Sequence, residues 1–329
     1  MKWFIALLLT VFFGSTSAQW QPCNSGVTRK LNDVFFVDAN MGFACGDSGI
    51  IIGTTNAGAS WSNLSSGVST NLQAICFTSA QTGYACGTFG TIIKTGNGGQ
   101  NWQPLNSGIT LNLNSLCFPT PNTGVAVGES GTIIRTNDYG NSWVLINSPT
   151  VYILNTVVSS SPLVVYAAGN SGELIKSADG GLNWVPEISG TTENLFGASF
   201  TNNSTGIVVG DHGTAVETTG SSIWNALTVG TNLCINDCYW YNGGARLLCS
   251  DAGKIFSDTV ANSWLSDSVA GQPNLNAMYF TDQNTGYAVG SGGNIFKIAN
   301  AALTSPQLQE SLNQYFSFYV SSSNKCNSF

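Results

Sequence analysis

The sequence is poor in charge, and especially in cations. Only 8% of its 329 residues are charged, with 10 lysines and arginines against 17 acids, for a net charge of −7. So little charge is unsuited to long solvated helices or to a disordered chain. The negative balance also repels phosphate backbones, so the composition argues against nucleic acid as a partner.

Several chemistries lack their residues. There is one histidine, His212, and we find no phosphate-binding glycine loop and no Cys/His metal spacing. Arginine occurs only at positions 29, 135 and 246, too few for the arginine cluster with which sialidases bind a substrate carboxylate. After the first 18 residues no apolar run approaches the ~20 residues that cross a bilayer. We therefore expect no resident cofactor and no transmembrane segment.

The first 18 residues are typical of a signal peptide. Lys2 gives a positive start, an apolar run follows from Trp3 to Phe13, and Thr16-Ser17-Ala18 is a small-residue cleavage site. We expect a mature protein that begins near Gln19 and is secreted, periplasmic or on the cell surface.

Glycine and aromatic residues are abundant, and they recur at a fixed period. The chain has 38 glycines, 17 phenylalanines, 10 tyrosines and 9 tryptophans. Seven of the tryptophans recur every 40 or 41 residues, at positions 20, 61, 102, 143, 184, 224 and 264. Seven similar phrases begin at Leu31, Leu72, Leu113, Leu154, Leu195, Ile235 and Leu275. The chain therefore contains seven repeats.

Each repeat has the pattern of four short strands. In the second one, LQAICFT, YACG, TIIKT and a last strand from Trp102 are separated by glycine- and asparagine-rich turns. A four-stranded unit of ~40 residues has the size of a propeller blade. We predict an all-β protein with a seven-bladed β-propeller over residues 19–300 and a poorly ordered tail over 301–329.

The two ends of the repeat region complement each other. Residues 20–26, WQPCNSG, match a fourth strand such as residues 102–108, WQPLNSG, whereas the last repeat has three strands and no tryptophan. We predict that the N-terminal strand completes the last blade and so closes the ring.

The turn before the tryptophan follows the Asp-box pattern S/T-x-D-x-G-x-x-W. Its two full copies consist of Thr136, Asp138, Gly140 and Trp143, and of Ser177, Asp179, Gly181 and Trp184. Asn56 and Asn97 replace the acid in earlier repeats. With phrases such as TGYACGTFGTIIKT, the chain resembles the photosystem II assembly factor-like propeller family over residues 19–300. The resemblance implies the fold; the basic patch with which photosynthetic members hold partners is not carried over to a chain with ten lysines and arginines.

We interpret the Asp-box residues as structural. An Asp or Asn side chain accepts backbone N–H bonds within a turn, Gly adopts the conformation that other residues avoid, and Trp packs between blades. No catalytic role is assigned to them.

A binding face is predicted at the opposite end of the ring. The turn between second and third strands varies at one position, which holds Asp47, Thr88, Glu129, Asn170, Asp211, Asp251 and Ser291. Asp33 and Asp237, near the start of inner strands, are expected to point to the same end, and His212 lies in one of these turns. The alternatives are ordinary solvated turn residues or an acidic face that binds a basic protein, a glycan or a calcium ion.

The expected function is therefore a non-catalytic binding or scaffolding module. The alternative is a carbohydrate-active hydrolase, because glycoside hydrolysis uses two carboxylates across a cleft and Asp33 with Asp237 are one such pair.

The nine cysteines leave their oxidation state open. Cys45 with Cys76, Cys86 with Cys117, and Cys238 with Cys249 are possible pairs, but several occupy repeat positions that hold valine elsewhere. Buried thiols are the favoured interpretation.

Overall fold

A computed structural model describes residues 20–220, 223–240, 245–260 and 263–299. The expected signal peptide, residues 1–18, and the tail, residues 301–329, lie outside the described residues. Within the described ranges the protein is an all-β propeller of seven antiparallel four-stranded blades, as the repeat predicts. No helix of these ranges is long and apolar enough to cross a membrane.

Strands are numbered in chain order, and β1 (Gln21–Cys23) precedes the first blade. Blade 1 consists of β2 (Leu31–Phe36), β3 (Gly42–Gly46), β4 (Ile51–Thr54) and β5 (Ser62–Leu64). Blade 2 consists of β6 (Leu72–Phe77), β7 (Gly83–Gly87), β8 (Ile92–Thr95) and β9 (Gln103–Leu105). Blade 3 consists of β10 (Leu113–Thr120), β11 (Thr123–Gly128), β12 (Ile133–Thr136) and β13 (Val144–Ile146). Blade 4 consists of β14 (Leu154–Ser159), β15 (Val165–Gly169), β16 (Leu174–Ser177) and β17 (Val185–Pro186). Blade 5 consists of β18 (Leu195–Asn202), β19 (Thr205–Gly210), β20 (Ala215–Thr219) and β21 (Asn225–Ala226). Blade 6 consists of β22 (Ile235–Trp240), β23 (Arg246–Ser250), β24 (Lys254–Val260) and β25 (Ser263–Ser268), and blade 7 begins with β26 (Leu275–Phe280), β27 (Gly286–Gly290) and β28 (Ile295–Ile298).

The predicted ring closure is confirmed. Strand β1 forms the outer strand of blade 7, where Gln21, Pro22 and Cys23 pair antiparallel with Lys297, Phe296 and Ile295. The Asn276 side chain of blade 7 also donates to the Leu31 carbonyl of blade 1 at 2.6 Å. The two ends of the repeat region are therefore joined by backbone and side-chain hydrogen bonds.

Aromatic side chains fill the interfaces between blades. Phe118 of blade 3 stacks on Tyr84 of blade 2 at 4.0 Å and meets the Trp143 ring edge-on at 6.1 Å. Trp143 is 9% exposed and belongs to a core cluster with residues of both blades. Offset stacking and edge-to-face contacts are the favoured arrangements of aromatic pairs, so each such triplet stabilises a blade contact beyond its buried area. The predicted position of the tryptophan between blades is correct.

Each inner strand carries a β-bulge after its first residue. The pairing of β10 with β11, for example, shifts between Leu113 and Ser115, so Asn114 is the extra residue. The same shift occurs in all seven blades. A bulge re-aims the extra side chain, and Asn114 donates to the Leu154 carbonyl of the next blade at 3.0 Å.

Blade 6 replaces the turn motif with a longer hairpin. The β24–β25 pairing extends to Val260 and Ser263. Arg246 is buried there, with its guanidinium between the Trp240 and Trp264 rings and ion-paired with Glu217 and Asp258. Cation–π contacts and paired carboxylates compensate the buried charge, so this arginine is structural.

Candidate functional site

Seven short 3₁₀ turns connect the second and third strands at one end of the ring. They lie beside the starts of the inner strands, since the Asp47 amide donates to the Lys30 carbonyl at 3.0 Å and the Asp211 amide to the Asn194 carbonyl at 2.9 Å. We call this end the turn face; it comprises residues 47–49, 88–90, 129–131, 170–172, 211–213, 251–253 and 291–293 with the loops that join successive blades. The Asp-box turns contact the loops between first and second strands instead, at the opposite end.

The turn geometry depends on glycine at its third position. In blade 3, Gly131 has φ +68°, and a Cβ there would lie 2.0 Å from the Thr150 carbonyl oxygen. Only glycine combines this backbone conformation with such a close approach. The glycine therefore packs each turn tightly onto the loop to the next blade.

The four acids at the first turn position lie on the turn face as predicted. Each accepts a hydrogen bond from an asparagine amide group, and the partners are Asn32 for Asp47, Asn112 for Glu129, Asn194 for Asp211 and Asn236 for Asp251. The donor–acceptor distances are 2.7 to 3.1 Å. Glu129 also accepts from the Asn112 backbone amide at 3.3 Å, so the fold uses one or more of the four acceptor directions of each carboxylate.

His212 is exposed at the tip of the blade 5 turn. Its Nδ1 lies 2.8 Å from a carboxylate oxygen of Glu193, and this hydrogen bond raises the pKa of the imidazole. The pair adds two more polar groups to the turn face next to Asp211.

The turn face also exposes apolar side chains, which sequence reasoning missed. Phe89 is 74%, Val151 81%, Tyr152 49% and Leu111 39% exposed. Leu111, Tyr152 and Glu193 occupy the same repeat position, 41 residues apart. We call Phe89, Leu111, Val151 and Tyr152 the apolar sector, and Glu193, Asp211 and Asp251 the acidic sector. The sequence does contain a sign of this apolar exposure, because Phe89 occupies the repeat position at which other blades have Ser48, Ser130 or Ser171.

Asp33 and Asp237 lie in the central channel rather than on the surface of the turn face. They line a cavity of ≈ 480 Å³ between the inner strands. Each carboxylate bridges two blades: Asp33 accepts from the amides of Val34 and Ile75, both at 2.8 Å. Asp237 makes the same pair of contacts with the next blade. The register pairs Asp33 with Cys45 and Asp237 with Cys249, so both acids lie at the end of the channel next to the turn face.

Burial changes the acidity of this pair. Desolvation raises the pKa of Asp33 to about 6, against the lowering effect of its two amide donors. Desolvation likewise raises the pKa of Asp237 to about 7, and the negative charge of Asp33 adds to the rise. Both groups therefore titrate close to neutrality.

The Asp-box side chains are engaged in their own turns. The Thr136 hydroxyl donates to Asp138 at 2.7 Å and accepts from the Gly140 amide at 3.0 Å. The Ser142 hydroxyl and amide donate to Asp138 and hold its pKa down at about 2. Ser177, Asp179 and Gly181 repeat this pattern before Trp184. These contacts agree with the structural interpretation.

The cysteines of the described ranges are all free thiols. In blade 6 the register places Cys238 opposite Leu248 and Cys249 opposite Asp237, so the two sulfurs are not cross-strand partners. Cys326 lies outside the described residues. The cysteine spacings that would allow disulfide bridges are present, but no disulfide forms among the described residues.

Comparisons with known proteins agree with the fold. Residues 14–105 and 59–150 match the family of photosynthesis system II assembly factor YCF48. No curated protein matches the chain. The structure of YCF48 bound to D1 peptide has a TM-score of 0.72 at 18% identity, covering 85% of this chain and 97% of that one.

YCF48 from Cyanidioschyzon merolae has a TM-score of 0.71 at 18% identity, covering 86% of this chain and 99% of that one. The GH74 xyloglucanase from Xanthomonas campestris has a TM-score of 0.71 at 14% identity, covering 88% of this chain and 55% of the enzyme. At these identities the likeness establishes a shared fold.

Proposed function

We propose that this photosystem II assembly factor-like propeller is a protein-binding module that uses its turn face to hold a basic, amphipathic segment of a partner. The apolar sector and the four turn acids, exposed on the same face, support the proposal. Exposed aromatic and aliphatic side chains serve as anchors at protein interfaces, whereas acidic groups beside them select a cationic partner.

The relative that binds the D1 peptide gives independent support for peptide binding by this fold. This chain differs in its electrostatics, because it has 17 acids and ten lysines and arginines. We therefore propose a partner of opposite charge at the turn face, with no basic patch involved.

Matched variants test the apolar sector. Phe89→Ser and Val151→Thr introduce residues that other blades carry at the same repeat positions, Ser48 and Thr110, so the turns retain their geometry. Leu182→Ser on the Asp-box face, 49% exposed, is the control. A partner captured from an envelope extract by the parent and the control, but lost with the double variant, supports this site.

The acidic positions are tested with Asp47→Asn, Glu129→Gln, Asp211→Asn and Asp251→Asn, which retain an acceptor for each asparagine. We expect weaker capture and a smaller dependence of binding on salt concentration, because charge attraction at a surface is screened by ions. Equal recovery of the partner by parent, apolar and acidic variants excludes the turn face as the binding site.

We also propose that the protein acts outside the cytoplasm, on the basis of the signal-peptide features of residues 1–18. N-terminal sequencing of the exported protein is expected to start at Gln19. Recovery of the full-length chain in the cytoplasm contradicts this.

Glycan hydrolysis is the second candidate. The observation in its favour is that Asp33 and Asp237 face a cavity with raised pKa values, as a general acid requires. Each carboxylate also binds two backbone amides, as a structural residue does. Hydrolysis of xyloglucan or another polysaccharide, abolished by Asp33→Asn or Asp237→Asn, establishes it; a negative screen removes it.

A further inference from the structure

The central cavity has two different sides. Alternate residues of an inner strand point to the same side, so Asp33 and Phe35 both face the channel, as do Asp237 and Tyr239. Tyr279 of blade 7 lies between them, with its ring centre 5.1 Å from that of Phe35 and 6.4 Å from that of Tyr239.

The opposite wall, from blades 2 to 5, includes Phe77, Phe118 and Phe200 but carries smaller side chains at one inward position. At the repeat position of Phe35 these are Cys76, Cys117, Val158 and Ser199. The two carboxyl groups and the three aromatic rings therefore lie together on one side of the cavity, formed by blades 6, 7 and 1.

No cation compensates these acids within the cavity. None of its lining residues in the described part of the chain is a lysine or arginine. Among the described residues, the carboxylates accept hydrogen bonds only from backbone amides, which leave each oxygen with a further lone pair. Both carboxyl groups are partly exposed to the channel, so a cationic guest there can pair with acids that no side chain of the wall neutralises.

The wall also indicates the kind of cation. The negative faces of aromatic rings attract organic ammonium groups, and carboxylates strengthen that attraction. A metal ion is less suited: calcium takes six to eight oxygen ligands, and the described residues contain no group of three acidic, thiol or imidazole ligands. The volume of ≈ 480 Å³ lies within the usual range for small-molecule sites.

We propose that the channel is a binding site for a small organic ammonium ion, held by Asp33 and Asp237 against the aromatic wall of Phe35, Tyr239 and Tyr279. This site does not depend on the turn-face function.

Choline and its uncharged isostere 3,3-dimethylbutan-1-ol are the probes, measured by calorimetry on the chain without residues 1–18. We expect choline to bind and the isostere to bind about tenfold more weakly or not at all. Choline affinity should rise between about pH 5 and pH 8, because the carboxyl groups must ionise to attract it.

The matched variant is Asp33→Ser with Asp237→Ser. Ser115 occupies the same repeat position and accepts from the Val157 amide of the next blade at 3.1 Å, so serine preserves the contact between blades. Asp267→Asn on exposed strand β25 is the control for loss of a carboxylate outside the channel. We expect the double serine variant to lose choline binding while its melting temperature shows that it is folded, and the control to retain binding.

Three results overturn the proposal. They are equal affinity for choline and its isostere, unchanged choline binding by the folded serine variant, and no saturable binding below about 10 mM choline at pH 8. Saturable binding of a neutral sugar in place of choline overturns it as well.

Discussion

The acid of the Asp-box turn contributes to the fold mainly through the hydrogen bonds that its side-chain oxygens accept. Asp138 accepts the Ser142 amide at 2.9 Å, and Asn97 accepts the Asn101 amide at the same distance in the preceding blade. The oxygen acceptor is thus shared by the two residue types, whereas the charge is not. For this reason the structural interpretation could be predicted from the sequence, where Asn replaces Asp in two repeats.

Replacing Asp138 distinguishes acceptor from charge. Asp138→Asn is expected to leave the free energy of unfolding nearly unchanged, whereas Asp138→Ala should lower it by about 1 kcal/mol through the lost hydrogen bonds. Urea unfolding of both variants measures this. A large loss for the Asn variant together with a small loss for the Ala variant is incompatible with a role as an acceptor.

The channel acids make stability depend on pH. Both pKa values are raised in the folded state, to about 6 and about 7, so between their unfolded value of 3.8 and neutrality the folded chain binds more protons than the unfolded chain. Stability from this pair is therefore greatest at low pH and falls as the pH rises to about 7.

We expect the melting temperature of Asp33→Ser/Asp237→Ser relative to the parent to increase from about pH 4.5 to about pH 7.5, because the variant lacks the two partly desolvated carboxyl groups. Melting curves of both proteins at several pH values test this. A constant difference between the two proteins shows that these groups do not titrate in that range.

At the scale of structural elements, strand positions were predictable and the bulges were not. The run LQAICFT indicates a strand, and β6 covers Leu72–Phe77 of it. The extra residue of a bulge does not interrupt an apolar run, so Asn114 and its equivalents looked like ordinary strand residues. The side-chain contacts of these bulge residues with the next blade were therefore not predicted.

The bulge asparagine links neighbouring blades, and its removal should weaken that link. Asn155 donates to the Leu195 carbonyl and to Asn170, both at 2.8 Å. Asn155→Ala is expected to lower the free energy of unfolding by about 1–2 kcal/mol. Gln73 occupies the same position in blade 2 without a hydrogen bond of this kind between described residues, so Gln73→Ala is the control and should cost less. Equal losses in chemical unfolding argue against the linking role.

At the scale of the whole molecule, the number of blades and the ring closure could be predicted from the sequence. Seven copies of one pattern each indicate a blade, and the incomplete copies at the two ends complement each other. The candidate site has no such redundancy. Phe89 and Val151 are single departures from the repeat, and their exposure becomes meaningful only when the ring places them on one face. Sequence reasoning considered acids at equivalent positions and therefore missed these apolar neighbours.

Ring closure also makes the N-terminal strand essential to a blade that is distant in sequence. Trp20 is 4% exposed and meets the Phe280 ring edge-on at 6.1 Å, and β1 supplies the outer edge of blade 7. Deleting residues 19–28 removes this tryptophan from the core and exposes an unpaired edge of β28. We expect a sharp fall in melting temperature, measured by circular dichroism.

A permuted chain provides the matched control for this deletion. It carries residues 20–28 after Ile298, joined through the turn sequence of residues 96–101, which connects the third and fourth strands of blade 2. Blade 7 then has four strands from one continuous segment, so the melting temperature should return to that of the parent. An unchanged melt after the deletion contradicts the closing role of β1; failure of the permuted chain to recover shows that the connection to blade 1 near Leu31 contributes more than the strand itself.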